Sequence, residues 1–160
     1  MTPTFDPLAV LATLERHRVS YVVIGELAGV LHGTGFTTKT IEITPALKNE
    51  NLARLALAAR DLGAPEADLA WLVGVAPDSG RRTFETDHGT LAITATPAGT
   101  RGYDDLRRGA NREPLGRGVR APVASIPDLI RTFDADGQNH EVEHRLRRAV
   151  DLERSITHDL

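Results

Sequence analysis

Residues 21–44, YVVIGELAGVLHGTGFTTKTIEIT, constrain this chain more than any other segment. The first four, Tyr21–Ile24, are apolar without alternation and partly β-branched, the pattern of a strand buried on both faces. Gly25 ends that strand. Residues 27–31 read as a short apolar helix closed by His32-Gly33, and 33–39 form a polar, Gly/Thr-rich loop. Residues 40–43 alternate polar and apolar, so a second, half-buried strand follows. A buried strand that turns through glycine into a helix and returns as an alternating strand points to an α/β domain, a small mixed sheet flanked by helices.

The remaining segments supply the helices and further strands. Asp6-Pro7 combines a capping carboxylate with proline at the first helical position, and predicts a helix to about His17. Asn49 is placed to cap a second helix with Leu52, Leu55, Ala59 and Leu62 inward and Gly63 as its stop. Residues 69–75 fit a strand or a helix equally. Asp87-His88-Gly89, between the alternating runs 82–86 and 90–96, signals a hairpin. A loop over 97–102 and a short helix over 103–110 come next, then one or two short strands within 111–124. Ser125 caps a helix that Asp136-Gly137 breaks, and a last helix runs to about Ser155. Without an internal repeat or a linker, 1–160 reads as a single domain.

Composition narrows the function classes. Net charge is −3 over 160 residues, which gives no global attraction to nucleic acid or to an anionic membrane. Zero cysteines exclude a disulfide framework, a thiol nucleophile and cysteine-ligated zinc. The opening MTPTFDPLAVLATLERH has no basic n-region and no apolar h-region, and no apolar run approaches a membrane span of about 18 residues. A cytoplasmic protein with no membrane partner is the expectation. The only lysines are Lys39 and Lys48.

The order of Gly25-Glu26 after one strand and Thr38-Lys39-Thr40-Ile41-Glu42 on the next resembles the minimal nucleotidyltransferases, especially the bacterial abortive-infection and toxin types. The later runs 90–93 and PAGTRGYDDL fit the same pattern, so the resemblance covers roughly 5–155. It implies a glycine turn that admits a triphosphate to a helix N-terminus, and carboxylates two apart on a strand that hold Mg²⁺. If the chain is active, Mg²⁺ and an NTP are the implied cofactors. The substrates would then be tRNA or protein, with an antitoxin or other protein as partner.

At the positions that this resemblance assigns to chemistry, the residues have changed. Gly25 keeps the turn. Glu26 brings a negative charge to where phosphate would lie, a repulsion of about 4 kcal/mol at about 4 Å and an effective dielectric of about 20. Thr40 stands for the first acid, Glu42 for the second with one extra methylene, and Ala92 for a third. Phe133 takes the place of a helix lysine. Glu42 alone is a weak metal ligand, because Mg²⁺ requires several hard oxygens. Lys39 is the cation within reach to neutralise Glu26 or Glu42. A catalytically impaired member that binds a protein, RNA or small ligand is the leading expectation, with an active transferase as the alternative.

Two other patterns compete. His140-Glu141-Val142-Glu143-His144 matches the helical H-E-x-x-H pattern, with two histidines as zinc ligands and Glu141 as general base of a hydrolase. Arg147 and Val150 fill the places where a metzincin extension needs glycine and histidine. Arg101, Arg107, Arg108 and Arg112 make a local excess of positive charge that could face RNA phosphates, and Asp104 and Asp105 read as solvated acids at a helix start. His32 is expected to close its helix.

Overall fold

A computed structural model describes residues 5–33, 38–137 and 140–159, with side chains in the last helix from 142 to 151. The elements in chain order are α1 (Pro7–Arg16), β1 (Tyr21–Ile24), α2 (Gly25–Leu31), β2 (Thr40–Pro45), α3 (Asn49–Asp61), α4 (Glu66–Leu72), β3 (Arg81–Thr86), β4 (Gly89–Thr94), α5 (Tyr103–Leu106), β5 (Asn111–Gly116), β6 (Val119–Val123), α6 (Ile126–Asp136) and α7 (His140–Asp159). Six strands form one mixed sheet in the order β3-β4-β2-β1-β6-β5. β1 runs antiparallel to β2 and parallel to β6, and β2 runs parallel to β4. The outer strands β3 and β5 are each joined antiparallel to their neighbours.

All four residues of β1 are buried, odd and even positions alike, so helices cover both faces of the sheet's centre. α2 touches β1, β2, α6 and α7, whereas α1 touches β6 and α3, and α3 touches α4. The core between these layers holds Leu11, Leu14, Ile41, Ile43, Leu52, Leu55, Leu91, Ile93 and Leu129, each almost wholly excluded from solvent. Tyr21 is buried with them. Its phenol is pushed well above the ordinary tyrosine range, first by that burial and then by the neighbouring Glu15 carboxylate.

Several local expectations hold. Asp6 accepts from the Ala9 N–H at 3.2 Å, and Ser125 accepts from the Asp128 N–H at 3.2 Å, each capping its helix with proline in the first turn. The undecided stretch 69–75 is helical through Leu72. The 111–124 region holds two strands, and α7 continues to Asp159. The helix over 103–110 is cut to Tyr103–Leu106.

Asn49 does not cap α3. The helix begins at Asn49, behind Lys48, and has no side-chain cap. The polar side chain that this segment uses is Asn51, which is buried. Its amide oxygen accepts from Ser20 N at 2.7 Å, and its nitrogen donates to Ser20 O at 2.9 Å and Ala46 O at 2.8 Å. One asparagine thus closes the start of β1 and the end of β2 onto the first turn of α3, and adds to the Ala46 N–H bond that Ser20 O already accepts. Asn51→Ala is expected to lower the unfolding free energy by about 2 kcal/mol, since three hydrogen bonds vanish and Ser20 N and Ala46 O lose this partner, while Ser20 O keeps the Ala46 N–H. A urea titration with unchanged slope and a lower midpoint would report it.

Candidate functional site

The turn from β1 into α2 contains no loop residue. Gly25 has φ +69° and belongs to α2. That backbone conformation costs other residues about 1–2 kcal/mol. Space is a second constraint: a Cβ at Gly25 would stand 2.7 Å from Glu42 Oε1. The antiparallel register sets Ile24 opposite Glu42, so the Glu42 side chain leans against the glycine turn.

Parallel pairing of β2 with β4 places Thr40 beside Thr90 and Glu42 beside Ala92. β3 extends the same row, with Thr83 beside Ala92 and Arg81 beside Thr94. Side chains of paired residues share a face, so Thr40, Glu42, Ala92, Thr94 and Arg81 lie on one side of the sheet. A cleft of about 650 Å³ opens there, lined among others by Gly25, Glu26, Thr40, Glu42, Arg81 and Phe133. Ala92 lies beneath it, fully buried. Thr38 bonds locally, its hydroxyl accepting from Thr40 N at 3.2 Å, and neither Thr38 nor Lys39 lines the cleft.

The cation at Glu42 is Arg81 and not Lys39. Arg81 Nε donates to Glu42 Oε2 at 3.3 Å, and Thr94 Oγ1 donates to the same oxygen at 2.5 Å. The carboxylate is about four-fifths shielded, whereas half of the Arg81 side chain remains in solvent. Lys39 precedes β2 on the loop side, while Arg81 starts the strand that register carries alongside Thr94. The sequence signal for Arg81 was its place opposite Thr94 across the 87–89 turn, which becomes meaningful once β4 is known to lie beside β2.

A divalent cation does not fit this donor set. Of Thr40, Glu42 and Ala92, which share this face on β2 and β4, only Glu42 carries charge, and that charge is already matched by an arginine. Glu26 and Asp136 also line the cleft, but among the described residues no three His, Asp or Glu side chains converge as a metal site.

The arginines expected to act together are dispersed. Arg112 is paired with Glu15 of α1, Arg108 is exposed, and Arg101 and Arg107 face a different cleft. Asp104 pairs with Arg107 at 3.2 Å. Asp105 accepts from the Arg101 N–H at 2.9 Å and pairs with Arg131 at 3.1 Å. These contacts, the backbone bond first, hold the Asp105 carboxyl below the usual carboxylate range. His32 closes α2, and its Nε2 lies 2.8 Å from Ala124 O, which fastens the helix to the end of β6. In the H-E-x-x-H stretch, the side chains of His140 and Glu141 lie outside the described residues. His144 is exposed, and Glu143 pairs with Arg147 at 2.8 Å.

The architecture has solved counterparts. The Thermotoga maritima protein TM1012, named as a candidate nucleotidyltransferase, superposes with a TM-score of 0.58 over 94% of this chain and 89% of its own, at 16% identity. The chain carries the nucleotidyltransferase fold. The antibiotic-resistance factor ANT(2'')-Ia shares it, with a TM-score of 0.57, 17% identity, and coverage of 89% of this chain and 80% of that one. No protein-family model and no curated protein sequence matches the chain. No described helix is long and apolar enough to cross a membrane.

Contact between Gly25 and Glu42 has a measurable signature. Gly25→Ala is expected to destabilise the fold by about 2 kcal/mol, combining the backbone cost with displacement of Glu42. Adding Glu42→Ala should recover the displacement and leave the backbone part, so thermal unfolding of the two single variants and the double variant should be non-additive.

Proposed function

We propose that this nucleotidyltransferase-fold protein is catalytically silent at the Gly25 cleft and acts by binding. The observation that carries this reading is the closed pair of Glu42 with Arg81 and Thr94. Nucleotidyl transfer on this fold requires carboxylates free to hold divalent ions, which neutralise phosphate and activate the attacking oxygen. Here the one carboxylate on the paired rows of β2 and β4 is neutralised by a side chain of the same chain. The pair also lies against the glycine turn, and Glu26 at the mouth repels a polyphosphate. A protein, an RNA or a small ligand remains as the binding partner.

One observation favours a second reading. Glu26, Glu42 and Asp136 line a single cleft. Release of Arg81 would leave three acids there for an active transferase, including one of the toxin type that modifies tRNA or protein and is held in check by an antitoxin.

Titration with Mn²⁺ alone, followed by transfer from α-labelled NTP, separates the two. The parent protein is expected to bind Mn²⁺ only in the millimolar range and to transfer no label to tRNA or protein. Thr40→Asp/Ala92→Asp/Arg81→Ala should bind Mn²⁺ roughly tenfold tighter or better, because three carboxylates then share a face. Label transfer by the parent protein would establish the active reading and sink the silent one.

A further inference from the structure

A second cleft, larger than the Gly25 cleft, lies at the other end of the central strands. It is about 970 Å³ and is bounded by Ser20 before β1, Ala46 after β2, the first turn of α3, and the 101–107 turn that holds α5. Its charged lining consists of Lys48, Arg54, Arg101 and Arg107 against Glu50 and Asp104. Asp104 is taken by Arg107. Asp105, which lies within the field of Arg101, is held by Arg131. Among the described residues, Lys48, Arg54 and Arg101 have no ion-pair partner. Four cations against two carboxylates leave this concavity with a local excess of two positive charges on a chain of net charge −3.

Two further features favour a particular anion. The first turn of α3 has no side-chain cap and forms one wall, so the positive end of a thirteen-residue helix adds to the cationic side chains. Tyr103, half-buried, forms part of the same lining. Cationic side chains that neutralise phosphate beside an aromatic ring that stacks a base are the two elements of nucleotide and single-strand recognition. Asn51 fixes the geometry, since its three hydrogen bonds hold the helix start against Ser20 and Ala46 on the cleft wall.

We infer that this cleft binds the phosphate of a nucleotide through Lys48, Arg54 and Arg101, with the base against Tyr103. The site is separate from the Gly25 cleft, which it meets only at Thr96. It does not depend on whether that cleft is silent. Free mononucleotides and the phosphorylated end of an RNA strand present the same chemistry.

The test is calorimetric titration of the full chain with AMP in the presence of EDTA, which removes any metal-dependent binding at the Gly25 cleft. Adenosine is the matched ligand without phosphate. AMP is expected to bind and adenosine to bind at least roughly tenfold more weakly, as loss of charge-assisted contacts requires. Arg54→Gln and Arg101→Gln should each weaken AMP several-fold, and Tyr103→Leu should weaken AMP but not inorganic phosphate. Arg108→Gln, exposed and outside the lining, should change nothing. Circular dichroism on each variant confirms that it is folded. A 5′-phosphorylated RNA hexamer that binds roughly tenfold tighter than AMP identifies a strand end, because further phosphates then meet the cations; equal affinity identifies a free nucleotide. Adenosine binding as tightly as AMP, AMP binding unaltered in folded Arg54→Gln and Arg101→Gln, or no AMP binding below millimolar concentration would each overturn the assignment.

Discussion

Burial of β1 on both faces is the constraint from which the rest follows. A strand of four apolar residues, with helices above and below, cannot continue into solvent and has no room for a wandering connection. It ends in a glycine with positive φ that passes at once into α2. That turn brings the backbone close to β2, and antiparallel register then sets Glu42 against Gly25. The polar cleft is thus a consequence of how an apolar strand is terminated.

Within that cleft the electrostatic balance has been settled internally. A carboxylate mostly removed from water needs a counter-charge and hydrogen-bond donors. On this fold a divalent ion could meet that need, but Arg81 and Thr94 meet it instead. An arginine supplies its charge permanently and brings no open coordination position for a substrate oxygen. This pairing spans the β2, β4 and β3 strands, so it also ties the cleft wall to the strand register. At the opposite end of the strands the balance is reversed, since Lys48, Arg54, Arg101 and Arg107 outnumber Glu50 and Asp104 around one concavity. One end of the sheet is electrostatically satisfied, and the other presents a charge that a ligand would complete.

Legibility along the chain followed the range of the interactions. The four-residue apolar run, the Asp6 and Ser125 caps and the hairpin at Asp87-His88-Gly89 depend on neighbours within a few residues, and each is readable in the sequence. Residues 69–75 were not decidable, because a short apolar run has no period and α4 is selected by its packing on α3. Asn49 and Asn51 look alike to local rules. Only the closeness of Ser20 and Ala46 makes Asn51 the one that matters. Sequence proximity points to Lys39 as a neighbour of Glu42 for the same reason, and is a poor guide to a pair separated by 39 residues and brought together by three strands.

The sequence by itself determined the order of elements outside residues 69–75 and the glycine turn, because these are local properties of residue type and spacing. Only the tertiary structure decided that Arg81 occupies the charge of Glu42, that Arg112 is consumed by Glu15, and that Arg101 shares a cleft with Lys48 and Arg54. The physical reason is that charge pairing acts over a few ångströms in space, and strand register, which no single segment encodes, sets which charges come that close.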